Sequence, residues 1–278
     1  MIEAASTMIA DWDDAYSNGS HIEGAEQYPT RWAEDAAAFR QDMSERGLAE
    51  LDLAYGAAER ERLDLFRPTG EARGLFVFVH GGYWMKFDKS TWSHLARGAL
   101  ARGWAVAMPS YTLAPQARVS EMTRQIGAAI TFAAARVEGG LRLAGHSAGG
   151  HLVTRMVCGN SPLPIALQAR LEHVVSLSGL HDLRPLLATR MHQTLRLDAE
   201  EAATESAALH WPVKGARVVC WVGGRERPEF IRQNDLLAHI WAGLGARTRA
   251  VHAVGKHHYN VIDDLTDAVS ELTRLCAP

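Results

Sequence analysis

The feature that most constrains the fold is a series of short, continuous apolar runs with helical patterns between them. The runs include "GLFVFVHGG", "WAVAMPSY", "LRLAGHS", "LEHVVSLSGL" and "ARVVCWVGG", all after about residue 61. A strand that is apolar at successive positions is typical of a sheet covered on both faces. Strands that alternate with helices of ordinary length are joined by right-handed crossovers and therefore run parallel. The sequence predicts an α/β fold with a mostly parallel central sheet flanked by helices.

A single domain is expected, because the alternation of strands and helices fills most of the 278 residues. Two regions depart from the alternation. Residues 1–60 are mostly helical in pattern, and residues 181–212 form a helical stretch longer than an ordinary crossover. We expect residues 1–278 to form one domain, with residues 1–60 as an N-terminal cap segment and residues 181–212 as an insertion over the C-terminal edge of the sheet.

Composition and charge argue against several classes of partner. The net charge of -3 and the lack of a long Lys/Arg run disfavour nucleic acid, and the apolar runs are too short to span a membrane. The stretch "MIEAASTMIADWDDAY" carries acids where a secretory signal needs basic residues. Cys158, Cys220 and Cys276 are widely spaced, which indicates reduced thiols and a cytoplasmic protein. The histidines show no H-E-x-x-H spacing, so we expect neither a metal nor another cofactor.

The stretch "LAGHSAGGHL" at residues 143–152 places Ser147 between a buried strand and a helix. Its core "GHSAG" fits G-x-S-x-G, the nucleophile elbow, and predicts Ser147 as the nucleophile. Such a serine sits on a sharp turn, where side chains two residues to either side would clash with neighbouring backbone. The helix that follows directs its N–H groups at charge that develops beside the serine. The alternative interpretation is a tight turn that tolerates glycine.

A second glycine motif, "VFVHGGYW", ends an earlier buried strand at residues 77–84. Acyl transfer needs N–H donors for a tetrahedral oxyanion, usually one after the nucleophile and others from a loop of this kind. Ala148 would supply the first donor, and Gly82 and Tyr83 would supply the others. The alternative is a Gly-Gly turn with a buried aromatic side chain. The order of the two motifs along the chain favours an oxyanion hole.

A catalytic base and acid are expected downstream, in the chain order Ser, Asp/Glu, His. "VGKHHYNVIDDL" follows the last strand, and we predict His258 rather than His257 as the base. "VCWVGGRERPEF" ends the preceding strand, and Glu226 in the loop that follows is the predicted acid. Asp182, in "SGLHDL", is the rival acid. A carboxylate in this place fixes the tautomer of the imidazole and stabilises its cation.

With these motifs, the chain resembles the α/β-hydrolase superfamily in its esterase/lipase branch, and within it the kynurenine formamidase (arylformamidase) group. The resemblance extends over about residues 50–278. Four stretches carry it: "HGGYW" at 80–84, "GHSAGGHL" at 145–152, and "RPEF" at 227–230 and "HHYNVIDDL" at 257–265, which correspond to the acid and histidine loops of the group.

Two positions depart from the family pattern. Tyr83 stands where many esterases have a third glycine, and Glu226 stands where the formamidase loop usually has aspartate. Tyrosine keeps a backbone N–H, so an oxyanion hole survives, but its ring must occupy space near the acyl group. With Trp84 beside it, this predicts a small acyl group such as formyl or acetyl.

The resemblance implies a serine hydrolase that cleaves a small acyl amide or ester through an acyl-enzyme, most like an arylformamidase acting on N-formylkynurenine-type aryl formamides. A general short-chain carboxylesterase is the alternative, and a non-catalytic binding protein of the same fold is a distant one. Tyr16 and Trp32 are interpreted either as stacking partners of an aryl leaving group or as core residues, and Trp84 and His146 are also assigned to the substrate site. The expected partner is a small-molecule ester or amide, and the resemblance implies a homodimer.

Overall fold

The computed structural model describes residues 8–278 and has an eight-stranded sheet at its centre. The strands are β1 (Ala49–Ala54), β2 (Arg62–Phe66), β3 (Gly74–Val79), β4 (Ala105–Pro109), β5 (Gly140–His146), β6 (Leu171–Leu177), β7 (Arg217–Gly223) and β8 (Arg247–Ala253). They lie in the order β1-β2-β4-β3-β5-β6-β7-β8. The β1–β2 and β2–β4 pairs are antiparallel and the other neighbours are parallel. The predicted mostly parallel sheet is confirmed.

Helices cover both faces of the sheet. The α-helices of the described residues are α1 (Trp12–Ala15), α2 (Tyr28–Glu45), α3 (Arg97–Ala101), α4 (Val119–Ala134), α5 (Ala148–Arg155), α6 (Ile165–Arg170), α7 (Met191–Leu195), α8 (Ala199–Thr204), α9 (Pro228–Gly243) and α10 (Glu271–Cys276). Short 3₁₀ turns lie at Gly19–His21, Ala25–Gln27, Lys89–Thr91, Ser93–Ala96, Arg184–Ala188, Ala207–Leu209 and Asp263–Thr266. Within residues 8–278, no helix has the length and apolar character that crossing a membrane requires.

The apolar run of β3 is explained by a sheet that is buried on both faces. Leu75, Val77 and Val79 pack into one cluster with side chains of α4, α5 and α9. Phe76 and Phe78 point the other way and pack with side chains of α2, α3 and α10. Because successive side chains of a strand alternate between the faces, only a run without polar interruptions can fill both layers.

The N-terminal region differs from the prediction that residues 1–60 are mostly helical. Residues 1–7 lie outside the described part of the chain. Helix α2 ends at Glu45, and Gly47 follows with a φ of 68°, while the N–H of Leu48 donates to the carbonyl of Met43 at 2.8 Å. This is a glycine-terminated helix end, after which the chain turns into β1. The edge strand β1 is mostly exposed, and its sequence therefore lacks the apolar run that marks the central strands.

The end of the chain also differs from its expected form. The sequence pattern predicts a continuous helix over about residues 259–275, whereas the structure has a 3₁₀ turn at Asp263–Thr266 and a separate α10. The hydroxyl of Ser270 accepts a hydrogen bond from the N–H of Thr273 at 3.0 Å and so caps a new helix start. The capping serine therefore starts a new helix inside the stretch for which the sequence pattern predicts a single continuous one.

The parallel strands end at one edge of the sheet and bring distant loops together. Val79 of β3 pairs with Gly145 of β5, and β6, β7 and β8 follow β5 as successive parallel neighbours. Loops that leave the carboxyl ends of parallel strands meet at one place, where α/β proteins form their sites. The loops that follow β3, β5, β7 and β8 carry the residues predicted for the active site.

The region between β6 and β7 consists of short helical pieces that include α7 and α8. It contacts the N-terminal segment through Arg190, whose backbone N–H and Nε donate to the two carboxylate oxygens of Asp13, each at 2.8 Å. Two pieces of chain that are far apart in sequence therefore meet above the C-terminal edge of the sheet.

Candidate active site

Ser147 lies on a sharp turn between β5 and α5. Its φ of 55° and ψ of -117° are unusual for a residue with a side chain, and its N–H donates to the carbonyl of Leu177 at 2.8 Å. A conformation of this kind costs about 1–3 kcal/mol and persists only where the surroundings fix it. The turn is thus built to hold the hydroxyl in one place.

The glycines around Ser147 are explained by close contacts with backbone. A Cβ on Gly145 would lie 2.2 Å from the carbonyl oxygen of Gly149, and a Cβ on Gly149 would lie 2.0 Å from that of Val79. Neither distance is compatible with a real carbon atom, because these are backbone atoms that cannot rotate away. The prediction that side chains at these two positions would clash is confirmed.

Replacement of Gly149 by alanine is expected to lower the free energy of unfolding by about 3 kcal/mol or more, because the new methyl group would overlap the carbonyl of Val79. Urea denaturation measures this. Gly243→Ala is the matched control, since Gly243 ends α9 and a methyl group added there would have nothing within 4 Å. The control should change stability by less than about 1 kcal/mol. Equal stability of the two variants would contradict the steric explanation.

His258 and Glu226 form a buried pair at the same edge of the sheet. Nδ1 of His258 lies 2.6 Å from Oε2 of Glu226. The other oxygen of Glu226 accepts hydrogen bonds from the N–H of Gly223 at 2.8 Å and from the hydroxyl of Ser178 at 2.5 Å. Both oxygens of the carboxylate are therefore engaged, which fixes its orientation toward the imidazole.

Asp182, the rival acid, is bound to Arg184 and makes no hydrogen bond with His258 among the described residues. Its two oxygens accept hydrogen bonds from the Arg184 guanidinium at 2.9 and 2.8 Å. Of the two carboxylates that the sequence left open, Glu226 is the one that contacts the imidazole.

Ser147 and His258 line the same cavity, which has a volume of about 620 Å³. Among the contacts of residues 8–278, no hydrogen bond joins Ser147 Oγ to the ring of His258. The walls of the cavity carry aromatic rings from widely separated parts of the chain: Tyr16, Trp32, Tyr83, Phe87, Trp92 and Tyr259. A cavity of this size and lining suits a small aromatic ligand.

The loop at residues 81–84 passes directly against Ser147. A Cβ on Gly81 would lie 2.9 Å from the Cβ of Ser147, so only glycine permits this approach. Gly82 and Tyr83 line the cavity. Among residues 8–278, the backbone N–H groups of Gly82, Tyr83 and Ala148 donate to no protein acceptor. Within this part of the chain, Gly82 and Tyr83 thus line the cavity with unpaired N–H groups, and the unpaired N–H of Ala148 belongs to the residue next to Ser147.

The structure corrects the assignment of Trp84 to the substrate site. Its side chain is fully buried and packs edge-on against His151, with ring centroids 5.3 Å apart, and it does not line the cavity. The carbonyl of Trp84 accepts a hydrogen bond from the N–H of Ala114 at 2.8 Å. Trp84 therefore supports the loop from the core side, which its place in the sequence did not reveal.

Tyr16 and His146 do line the cavity, but each is also bound to protein. The hydroxyl of Tyr16 donates to Oε1 of Glu229 at 2.8 Å. Nε2 of His146 donates to the carbonyl of His258 at 2.9 Å, which ties the elbow to the histidine loop. The hydroxyl of Tyr16 and Nε2 of His146 are thus engaged by protein, whereas the buried Nδ1 of His146 has no hydrogen-bond partner among residues 8–278.

Several residues of the site were missed in the sequence. Phe87, Trp92 and Tyr259 line the cavity, and Ser178 binds Glu226. Phe87 follows the "HGGYW" motif closely and could have been suspected for that reason. Tyr259 directly follows the predicted base His258 and could have been suspected as well. Trp92 and Ser178 gave no local signal, because their roles depend on which loops the sheet brings together.

Buried histidines surround the elbow. Burial lowers the pKa of His80 and of His151 to about 4 and the pKa of His181 to about 3. Burial also holds the pKa of His146 well below its ordinary value of 6.5. These rings remain neutral in the folded protein, whereas they take up protons near pH 6.5 in the unfolded chain.

Stability should therefore fall as the pH decreases below 6.5. Below that pH the unfolded chain binds more protons than the folded protein, and the free energy of unfolding decreases until the folded pKa values near 4 are reached. We expect a loss of about 5 kcal/mol or more between pH 7 and pH 4.5, measured by urea denaturation. Replacing the exposed His239 by glutamine should leave the pH profile unchanged. A free energy of unfolding that is constant between pH 7 and pH 4.5 would contradict the conclusion that the buried histidines are neutral in the folded protein.

The mostly parallel sheet, the serine on a strand-to-helix turn and the buried His–Glu pair define a hydrolase of the α/β-hydrolase class. The sequence profile of the BD-FAE family matches residues 63–209, which is more than half of the chain. The protein belongs to the BD-FAE family.

Relatives that are named for an activity are hydrolases. The kynurenine formamidase of Salmo salar is 28% identical over 242 residues, which cover 83% of this chain and 82% of that protein. The kynurenine formamidase of Danio rerio is 26% identical over 234 residues, with coverages of 81% and 80%. A crystal structure of a candidate thioesterase from Silicibacter sp. has 50% identity and a TM-score of 0.91, and covers 96% of this chain and 99% of that chain. These similarities support hydrolase activity in the α/β-hydrolase fold.

Proposed function

We propose that the protein is a serine hydrolase that cleaves small aryl amides, with aryl formamides of the N-formylkynurenine type as its preferred substrates. The observation that carries the proposal is the cavity in which Ser147 and His258 lie among aromatic rings, with Glu226 bound to the far side of His258. The names of the formamidase relatives support the formyl aryl amide as the substrate class.

The first half of the proposed reaction forms an acyl-enzyme. Ser147 Oγ attacks the acyl carbon while Nε2 of His258 takes the hydroxyl proton. Glu226 holds Nδ1–H of the ring and stabilises the imidazolium that results. The oxyanion accepts hydrogen bonds from the backbone N–H groups of Gly82, Tyr83 and Ala148, and each such donor contributes about 10²–10³ in rate.

The second half releases the two products. His258 donates its proton to the departing nitrogen, because an amine anion is too poor a leaving group to depart without a proton. A water molecule then attacks the acyl-enzyme and gives up a proton to His258. His258 returns this proton to Oγ of Ser147 as the bond from Oγ to the acyl carbon breaks, which regenerates the serine hydroxyl and the neutral imidazole and releases the carboxylic acid. The proposed mechanism uses the side chains and backbone of the chain without a cofactor.

The surroundings of the serine favour a small acyl group and an aromatic leaving group. Tyr83 lines the cavity together with Ser147, and we expect its ring to limit the room for a long acyl chain. Trp32, Trp92 and Tyr259 offer ring faces to an aryl group on the other side of the amide. Trp32 lies in α2, whereas Trp92 and Tyr259 lie in the segments that follow β3 and β8, and all three line the cavity.

The test is a panel of substrates that differ in one group at a time. We expect kcat/KM to be higher for an aryl formamide than for the matching acetanilide, and higher for p-nitrophenyl acetate than for the octanoate. Ser147→Ala should abolish every rate in the panel. Octanoate turnover equal to acetate turnover would argue against the small acyl site, and inert aryl formamides would argue against the amidase.

A general carboxylesterase is the second candidate, and the similarity to a candidate thioesterase favours it. The two functions differ in the leaving group, since a phenolate or a thiolate can leave without the proton that an amine requires. A formyl ester and a formyl amide of the same aryl group separate them. An amide rate within about tenfold of the ester rate would favour the amidase, and an ester rate that is much higher would favour the esterase.

We also propose that the enzyme is cytoplasmic and forms a homodimer. The three cysteines of the chain are buried and free, which suits the reducing cytoplasm. Size-exclusion chromatography with light scattering tests the homodimer that the family resemblance implies, and a mass of one chain, 30.5 kDa, would count against it.

A further inference from the structure

The loop beside the serine has an unusual backbone. Gly82, Tyr83 and Trp84 follow one another with φ values of 109°, 51° and 57°. A positive φ is easy for glycine but costly for tyrosine and tryptophan. Such a conformation persists only where neighbouring groups hold it in place. The contacts of Tyr83 and Trp84 show which groups these are.

One of the two strained residues is anchored in the core. The ring of Trp84 is fully buried and its carbonyl is bound by the N–H of Ala114. The other is anchored to the N-terminal segment, where the hydroxyl of Tyr83 donates a hydrogen bond to the backbone carbonyl of Tyr16. Burial raises the pKa of Tyr83 well above its ordinary value of 10, so the hydroxyl stays protonated and remains a donor.

Tyr16 is itself fixed to the helix that follows the acid loop. Its hydroxyl donates to Oε1 of Glu229 at 2.8 Å and accepts from Nε2 of Gln233 at 3.2 Å. Glu229 and Gln233 lie in α9, which starts at Pro228, two residues after Glu226. The Tyr83 hydroxyl therefore connects the loop at residues 81–84, through Tyr16, to a rigid element next to the proposed acid.

We infer that Tyr83 is a positioning residue whose hydroxyl holds the loop at residues 81–84 against the N-terminal segment, so that the N–H groups of Gly82 and Tyr83 stay directed at the oxyanion. The inference rests on the proposed function, because it assigns these N–H groups to a tetrahedral intermediate. It gives the N-terminal segment a part in catalysis in addition to its place in the cavity wall.

The test is Tyr83→Phe, which keeps the ring and removes only the hydroxyl. We expect kcat to fall about tenfold with little change in KM, because displacement of oxyanion donors weakens binding of the transition state and spares the ground state. An aryl boronic acid, which forms a tetrahedral adduct with a serine, should bind about tenfold more weakly. The affinity for the aryl amine product should remain within twofold of the original value.

Tyr55→Phe is the matched control, because the Tyr55 hydroxyl also donates to a backbone carbonyl, that of Ser110 at 2.6 Å, and Tyr55 does not line the cavity. The control should show a similar small change in Tm with unchanged kcat and boronate affinity. If Tyr83→Phe leaves kcat unchanged, or weakens product and boronate binding equally, the positioning role is wrong. A native protein that turns over no ester or amide would instead overturn the proposed function.

Discussion

Replacement of Ser147 by alanine is expected to lower kcat for every ester and amide substrate by about 10⁵-fold or more, because the variant has no oxygen with which to form an acyl-enzyme. Residual activity reflects only the N–H donors and the binding of substrate. The measurement is turnover of p-nitrophenyl acetate and of an aryl formamide. The variant should fold normally, since the side chain that is removed is small and lies at the surface of the cavity.

A fluorophosphonate label gives an independent reading of the same prediction. It should modify the native protein at Ser147 and leave Ser147→Ala unmodified. Ser161→Ala is a suitable control. Ser161 is half-buried, its hydroxyl donates a hydrogen bond to the carbonyl of Met156, and it does not line the cavity. Labelling at another serine, or activity that survives in Ser147→Ala, would remove the basis of the serine mechanism.

Replacement of Glu226 by glutamine is expected to lower kcat by about 10³–10⁴-fold with a small change in KM. The amide has nearly the same shape as the carboxylate but no charge to stabilise the imidazolium, and it favours the wrong tautomer of His258. Steady-state kinetics at neutral pH measure the effect, and denaturation experiments show whether the variant is folded.

Asp182→Asn is the control for this substitution, because it makes the same chemical change at the rival carboxylate. Asp182 binds Arg184 and does not contact His258, so kcat should stay within about threefold of the native value. A larger loss in Asp182→Asn than in Glu226→Gln would reverse the assignment of the acid.

The elbow could be predicted from the sequence because its cause is local. Gly145 and Gly149 are required by contacts within a few residues of Ser147 and with the neighbouring strand end. A requirement of that kind leaves a fixed spacing in the chain. The same holds for the central strands, whose burial on two faces excludes polar residues from a continuous run such as that of β3.

The choice between Glu226 and Asp182 could not be made in the same way. Both follow a buried strand, and the outcome depends on which loop of the folded sheet points at His258. Trp84 was misassigned for a related reason, since adjacent residues of a loop can face opposite sides, and Tyr83 faces the cavity while Trp84 faces the core. Sequence proximity to a motif does not determine the direction of a side chain.

The described part of the N-terminal segment before α2 contributes to the cavity although it contains no strand of the sheet. Every strand of the sheet lies between residue 49 and residue 253, whereas Asp13, Tyr16 and Asn18 belong to the cavity wall. A chain shortened by its first 21 residues would retain the residues of every strand and of α2, but it would lose this part of the cavity wall together with the core side chain of Tyr16. The same short stretch therefore serves both packing and the cavity, and we expect its removal to lower the stability of the protein as well as its affinity for a ligand.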